Sequence, residues 1–503
     1  MAFTARGRTY YVNTSGDDRN DGSRRHPWQT LARVSAQRFR AGDSVLFAPG
    51  QVFQGTLRIN AARRVVIGVY GGGRGAANGS GVANGSGAAN GASAAAPFAT
   101  IDAGDSSAIV LHQAAHLTLS RLHLVGAGRK TGNVKEGLSM VNCTYVDVHD
   151  LDITGFQKAG LMIYASTDID VTHVSAHENG SAGIAVEGDF SNKITSRRIR
   201  IVECRTEDNP GDPTNLTNHS GNGIVVGHCT NLLIDRCTAT NNGWDMPRIG
   251  NGPVGIWCYE ADSVVIQHCL AYGNKTSPGA ADGGGFDLDG GVTNSVIQYC
   301  FSYGNQGSGY CIFQYWGASP WYHNVIRYNI SENDGTVSDS RAGIYVWNSS
   351  DDEKQFYDCD VYGNIIYNDQ VAAISFSEKS ENKDFRFHHN VFVGRDSLIK
   401  GRDRLGGCVF LYNDWWSILS GFNAGGYRDI KTWSEETGKE QKDGRLVGLN
   451  LQPDFLRPGK AAFTRASQLH AFTNYNLPLH SRLRQQPVFT NLHGIKYATQ
   501  KLY

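Results

Sequence analysis

Four acidic residues lie close together in the middle of the chain and could perform acid–base chemistry. Asp287 and Asp289 occur in the segment DGGGFDLDGG, which begins at Asp282, and Glu260 precedes them by about one repeat. Residues i and i+2 of a strand point to the same face, with Cβ atoms roughly 7 Å apart. Two carboxyl groups so close can divide the roles of acid and base. The pattern predicts Asp287 and Asp289 as a catalytic pair, with Glu260 as its substitute member.

The aspartates of this segment also allow two other interpretations. They could be solvated carboxylates bonded to the neighbouring glycine-rich turns, or Asp282, Asp287 and Asp289 could bind calcium, which prefers oxygen ligands. Aspartate is depleted in strands, and like charges on one face repel each other. A structural motive is therefore hard to find, and catalysis is favoured.

A repeated strand pattern sets the direction of these side chains. Five-residue units beginning with Gly or Ala recur along the chain, and their second and fourth residues are apolar or aromatic in every unit. This alternation is typical of a strand with one buried face. The third and fifth residues, including Asp287 and Asp289, are therefore expected to face outward. The units begin at residues 137, 160, 183, 223, 255, 285, 309, 343 and 373.

Large aromatic residues occupy the outward positions on both sides of the acidic pair. Sugar rings have apolar faces that stack on aromatic side chains, and polar groups among the aromatics can bind hydroxyls. A ladder that only stabilises the sheet is the alternative. The pattern favours sugar binding, and the predicted substrate-binding residues are Trp257, Tyr259, Phe313, Tyr345 and Trp347, with the polar residues Glu187, His228 and Gln314.

A second repeat has the form Cys-x-x-x-x-Asn and recurs about every 30 residues, a period typical of stacked architectures. Short strands at this spacing, without helical segments between them, indicate a parallel β-helix. One interior file of cysteines and one turn ladder of asparagines are expected, both structural. The cysteines are Cys204, Cys237, Cys269, Cys300 and Cys359, each with Asn five residues later, and Asn329 and Asp334 fill the missing rung.

These repeats resemble the parallel β-helix proteins of the pectate-lyase-like superfamily. The likeness covers about residues 8–400 and includes the opening YYVNTSGDDRNDGSRRHPWQTLARV and AGDSVLFAPGQVF; the segment from YRDIKTW to GLNLQPDF is similar to the tail of many such proteins. The resemblance implies an all-β, single-stranded right-handed parallel β-helix with an N-terminal cap helix and an irregular C-terminal tail. The superfamily contains lyases, hydrolases, epimerases and adhesins, so the fold does not choose among them.

The chain divides by composition into four parts. Residues 1–70 are expected to form the cap and first coils, and residues 71–97 a low-complexity Gly/Ala/Asn/Ser loop. Residues 98–400 should form the β-helix, and residues 401–503 the last coils and tail.

The amino-acid composition of the chain argues against some classes of binding partner. The 503 residues include 47 Lys+Arg and 47 Asp+Glu, giving a net charge of zero; this argues against a nucleic-acid partner. An apolar run of about 18 residues, which would indicate a membrane span, does not occur. The opening MAFTARGRTYYV has no signal-peptide pattern. The expected partner is a polysaccharide or oligosaccharide. We expect the protein to be secreted or periplasmic, with a signal peptide that is not in this chain.

The preferred function is a glycoside hydrolase that needs no cofactor. The first alternative is a calcium-dependent lyase acting on a uronate polymer, for which DGGGFDLDGG is similar to the calcium-binding coil of pectate lyases. Such a lyase needs a basic residue near the acids, and the nearest candidates, Lys275 and Arg327, lie in a loop and on another strand. The second alternative is a non-catalytic glycan-binding or tailspike-like protein.

Overall fold

The structure is a computed structural model that describes residues 7–71, 97–189, 196–337, 341–377, 382–401 and 405–487. The predicted loop 71–97 lies outside the described residues except at its two ends. Strands stack coil upon coil in parallel, which confirms the predicted all-β parallel β-helix. No helix in the described part of the chain is long and apolar enough to cross a bilayer.

The described residues form two long parallel sheets. The first sheet has 25 strands, and its longer strands bend and pair with two others, as Thr144–Thr154 pairs with both Thr167–Thr172 and Ser175–His177. Its strands are Thr9–Val12, Ser44–Phe47, Val52–Gln54, Arg63–Val69, Ala99–Gly104, Ala115–Gly126, Thr144–Thr154, Thr167–Thr172, Ser175–His177, Ser196–Val202, Arg205–Glu207, Cys229–Asp235, Thr238–Thr240, Asp262–Gln267, Leu270–Tyr272, Val296–Gln298, Phe301–Tyr303, Asn324–Arg327, Ile330–Glu332, Tyr357–Tyr362, Ile365–Tyr367, Lys383–His388, Val391–Gly394, Cys408–Leu411 and Asp414–Ser417.

The second sheet has 12 strands in the described part of the chain and carries the five-residue units of the sequence. Its strands are Leu57–Asn60, Ile109–His112, Leu138–Val141, Ala159–Tyr164, Ala182–Glu187, Asn222–Gly227, Val254–Tyr259, Gly284–Leu288, Tyr310–Gln314, Ile344–Asn348, Ile374–Phe376 and Ile399–Lys400.

Short helices close the two ends of the stack. The helix Leu31–Ser35 begins after Thr30, whose hydroxyl accepts from the backbone of Arg33, and it buries Leu31 and Val34 in the core. The helix Ile430–Thr437 is capped by Asp429 and places Trp433 on Trp415. The tail then continues through the antiparallel pair Gln441–Lys442 and Arg445–Leu446 and the 3-10 helix Ala466–Ala471.

Inside the stack, the asparagines form two ladders rather than the single ladder expected. One ladder ends at Asp334, where the Asn305 amide donates to the carboxylate at 2.8 Å. In the other, Asn329 donates to Asn364 at 3.1 Å. The expected placement of Asn364 above Asp334 is therefore wrong. Cys359 also leaves the cysteine file, because it pairs in register with Asn324. The first ladder comprises Asn179, Asn209, Asn242, Asn274, Asn305 and Asp334, and the second comprises Asn329, Asn364, Asn390, Asn413 and Glu440.

The register of the second sheet fixes which residues meet on its outer face. Trp257 pairs with Asp287, Asp287 with Cys311, and Cys311 with Tyr345. The intervening residues, such as Phe286, are buried in the core. Because neighbouring strands are about 4.8 Å apart, Trp257 and Tyr345 stand roughly 14 Å apart across this face. The small residues between them leave room for a cavity.

Candidate active site

A cavity of about 680 Å³ lies on the outer face of the second sheet. Its floor is built on the strands Val254–Tyr259, Gly284–Leu288, Tyr310–Gln314 and Ile344–Asn348. The connections 206–221 and 274–284 contribute Asn218, His219, Ala281 and Asp282 to its lining. Volumes of roughly 300–1,000 Å³ are usual for small-molecule sites.

Two aromatic walls face each other across this cavity. On one side Trp257 and Tyr259 lie with ring centroids 5.4 Å apart. On the other side Phe313 makes edge contacts with Tyr345 at 5.3 Å and with Trp347 at 5.8 Å. The structure thus brings the five predicted aromatic residues together in one lining.

Asp289 and Asp282 are the two carboxyl groups that line the cavity. Asp289 follows the end of its strand and accepts one hydrogen bond from the backbone N–H of Gly290 at 2.7 Å. Burial raises its pKa to about 7. Asp282 accepts from the backbone N–H of Gly252 at 2.7 Å, and burial raises its pKa to about 6, although Gly252 and the charge of Arg341 oppose the shift.

Asp287 does not line the cavity, although it shares the outer face with Trp257 and Cys311. The residue faces outward as expected from the strand pattern, but it is only 2% exposed, so its carboxyl is buried rather than open to solvent. Its Oδ1 has no hydrogen-bond partner among the described residues, and burial raises the pKa of the carboxyl well above its usual value.

Glu260 and Gln314 support a loop instead of lining the cavity. Glu260 occupies a corner of its coil with φ of 43°, and its charge contributes to the raised pKa of Asp289, so its carboxyl lies near that residue. Its carboxylate accepts from the backbone N–H of Ser319 at 2.8 Å and from the hydroxyl of Tyr315 at 3.4 Å. Gln314 donates to the carbonyl of Ser319 at 3.0 Å. Both side chains therefore hold the loop 315–319.

Glu187 and His228 lie behind the first aromatic wall rather than in the cavity lining. The hydroxyl of Tyr259 donates to Glu187 at 2.7 Å, and the His228 ring makes an edge contact with Tyr259 at 5.5 Å. Nδ1 of His228 is 3.6 Å from the Glu187 carboxylate. These predicted ligand-binding residues fix the orientation of Tyr259.

Arg341 enters the cavity from a loop and was not among the predicted residues. It is only 7% exposed; Nη2 donates to the carbonyl of Ala280 at 2.9 Å, while Nη1 is buried without a partner among the described residues. No strand pattern orders this loop in the sequence, so nothing in the repeats marks the residue.

His219 and Tyr315 also line the cavity without having been predicted. Burial lowers the pKa of His219 to about 4, so its imidazole is neutral near pH 7. Its ring makes an edge contact with Trp257 at 4.7 Å. The signal for Tyr315 was its place directly after the outward residues Phe313 and Gln314.

Asp282, Asp287 and Asp289, the predicted calcium ligands, lie near one another, since the charges of Asp289 and Asp282 help to raise the pKa of Asp287. Among the residues that the structure describes, no three His, Cys, Asp or Glu side chains are grouped so that they could hold a metal ion. One oxygen each of Asp282 and Asp289 is already engaged by a backbone N–H, as described above.

The fold and the cavity together define a parallel β-helix protein with an acidic, aromatic site on one sheet. The family described as "Pel9A-like, right handed beta helix region" matches residues 10–364, and the chain belongs to it. This membership also confirms the predicted handedness of the helix. No curated protein matches the chain.

Solved structures with the same fold are distant in sequence. The lacto-N-biosidase GH136 from Eubacterium ramulus has 14% identity and a TM-score of 0.41, covering 75% of this chain and 68% of its own. Pectate lyase Pel9A has 16% identity and a TM-score of 0.41, covering 95% and 91%. A mannuronic acid specific family 6 lyase from human gut microbiota has 13% identity and a TM-score of 0.50, covering 85% and 93%.

Proposed function

We propose that the protein is a glycoside hydrolase in which Asp289 is the general acid and Asp282 the second carboxylate. The observation that carries this proposal is that these two carboxyl groups line one cavity between two aromatic walls. Asp287, the other member of the pair expected from the sequence, lies beneath the cavity and is replaced by Asp282 in this role.

The environments of the two carboxyl groups suit opposite tasks. Burial raises the pKa of both groups, to about 7 for Asp289 and about 6 for Asp282, so Asp289 keeps its proton to higher pH than Asp282 does. A protonated carboxyl can donate to the glycosidic oxygen while an ionised one activates water or attacks the sugar. Arg341 lowers the pKa of Asp282 and so favours its ionised form.

The aromatic walls supply the binding energy for the sugar. Tyr259 on one side, and Tyr345 and Trp347 on the other, offer ring faces and edges to the apolar faces of a glycan, while the buried Trp257 packs against Tyr259. Since the neutral imidazole of His219 and the amides of Asn218 and Asn251 lie in the same lining, they can bind hydroxyls.

A calcium-dependent lyase acting on a uronate polymer is the second candidate, and Arg341 favours it. A buried guanidinium nitrogen without a partner is suited to a uronate carboxylate. The family name refers to Pel9A, and a protein of that name is a pectate lyase. Elimination also requires a base, however, and a guanidinium keeps its proton in proteins. The carboxyl groups that line the cavity therefore fit hydrolysis better.

One experiment distinguishes the hydrolase from the lyase by measuring the products of both reactions with the same panel of substrates. The full chain is incubated with neutral polysaccharides and with polyuronates, with and without a chelator, and both reducing ends and absorbance from a new C=C bond are followed. We expect reducing ends without unsaturated product, unchanged by the chelator and lost in Asp289→Asn. Unsaturated product that disappears with the chelator and returns with calcium would establish the lyase instead.

A further inference from the structure

Trp316 is a large aromatic side chain placed in solvent at the edge of the cavity. It is 77% exposed, and it directly follows Tyr315, which lines the cavity. An indole ring exposed to solvent lacks the stabilisation that it would gain by burying about 150–250 Å² of its surface. Its position beside the candidate site therefore suggests a ligand as its partner.

The loop that carries Trp316 is fixed by several hydrogen bonds. The Ser349 hydroxyl accepts from the backbone N–H of Trp316 at 2.8 Å. Glu260 holds Ser319 and Tyr315, and Gln314 holds the carbonyl of Ser319, as described above. The indole is thus attached to an ordered backbone, which lowers the entropy cost of presenting it to a ligand.

This loop also lies next to the candidate general acid. A Cβ atom at Gly290 would fall 2.4 Å from Cε1 of Tyr315, so the tyrosine ring packs directly over the backbone that follows Asp289. Trp316 is one residue further along. Trp316 thus lies outside the lining of the cavity, next in the chain to a residue that contacts the backbone beside Asp289.

We propose that Trp316 is a stacking site for a sugar unit that lies outside the cavity, beyond the units held next to Asp289. This inference rests on the proposed glycan substrate and specifies it further: the substrate is a chain that extends past Tyr315, rather than a disaccharide enclosed by the cavity. The apolar face of a pyranose ring matches the exposed indole in size and polarity. A single exposed ring is also far smaller than the patches of several hundred Å² that mark protein–protein contacts.

The first test compares substrates of increasing length. Oligosaccharides of two to six units are prepared from whichever of barley β-glucan, arabinoxylan and galactomannan the protein hydrolyses. For Trp316→Ala we expect kcat/KM to fall about tenfold for the long members and to stay unchanged for the shortest one cleaved. Trp316→Tyr should recover most of the loss. Tyr145→Ala removes an exposed aromatic from the first sheet and should behave as the native protein.

A second measurement does not depend on turnover. The native protein and Trp316→Ala are run in native gels containing each of the three polysaccharides. Weaker retention of Trp316→Ala in a gel where no hydrolysis occurs would support the stacking site and contradict the hydrolase. Equal migration of the two proteins in every gel would overturn the stacking site.

Discussion

Two carboxyl groups, the half-buried Asp289 and the buried Asp334, have the same raised pKa of about 7 and opposite surroundings. Asp334 ends the first asparagine ladder and accepts from the backbone N–H and the side-chain amide of Asn305, at 2.9 and 2.8 Å, and from the hydroxyl of Ser331 at 2.7 Å. Asp289 accepts one hydrogen bond, from Gly290, and otherwise faces the cavity.

The difference shows that a raised pKa does not by itself identify a catalytic carboxyl. Burial is the largest cause of the shift in both residues. What distinguishes Asp289 is its free acceptor capacity beside a space large enough for a ligand. Asp334 uses its acceptor capacity to continue a ladder of amides through the core.

The largest expected effect is on activity, and it should differ between variants of these two carboxyl groups. Asp289→Asn removes the proposed general acid, so kcat should fall about 10²–10⁴-fold while the melting temperature stays within a few degrees. Asp334→Asn places an amide at the end of a ladder made of amides and should keep activity near the native value. Both variants are assayed for turnover and for thermal unfolding. Equal activity losses in the two variants would mean that Asp289 has no special role.

The two aromatic walls differ in a similar way, since one contains a tryptophan buried in the fold and the other a tryptophan that a ligand can reach. Trp257 is 3% exposed, packs with Ala185 and Val225, and donates its Nε1–H to Asn222 at 3.0 Å. Trp347 is half-buried and lines the opposite wall.

We therefore expect Trp257→Ala to cost about 3 kcal/mol of stability, as for other large-to-small changes in cores. Trp347→Ala should instead raise KM about tenfold with little loss of stability. Denaturant unfolding and steady-state kinetics of both variants measure this contrast. If Trp347→Ala unfolds as readily as Trp257→Ala with an unchanged KM, the second wall is structural as well.

Most of the fold was predictable because it repeats. Strict alternation in units such as GIWCY and GFDLD indicates which side chains enter the core, and the structure agrees at Ile256 and Phe286. The error at Cys359 arose because the Cys-x-x-x-x-Asn spacing is satisfied at two different corners of a coil. Spacing alone does not distinguish those corners, whereas the strand pairing does.

The site was predictable only in part, since register gives the face of a side chain but not what covers it. Alternation placed Asp287 and the five aromatic residues on the outer face, but Asp287 is buried there. Two separate connections bring Arg341 and His219 into the cavity across long sequence separations. Neither contact follows any repeat, so neither could be derived from the order of residues.

The smallest expected effect concerns Asp287, which is buried like Asp334 but has an unpartnered oxygen like a site residue. Its pKa in the folded protein lies well above the unfolded value of 3.8, so folding takes up a proton as the pH rises between those two values. Its contribution to the stability is thus complete below about pH 4 and is lost progressively as the pH rises through the folded pKa, at up to about 1.4 kcal/mol per pH unit.

Asp287→Asn replaces the carboxyl group by an amide of nearly the same volume and so removes the loss of stability at high pH. We expect the variant to match the native protein in thermal unfolding at pH 4.5 and to melt a few degrees higher at pH 8, because an amide carries no charge to bury. Activity should fall less than in Asp289→Asn, since Asp287 does not line the cavity. If the variant is instead less stable than the native protein at pH 8, and more so with calcium present, then the carboxylate is ionised and paired with a cation. That result would show that Asp287 binds a cation rather than serving only the fold, and it would favour the lyase.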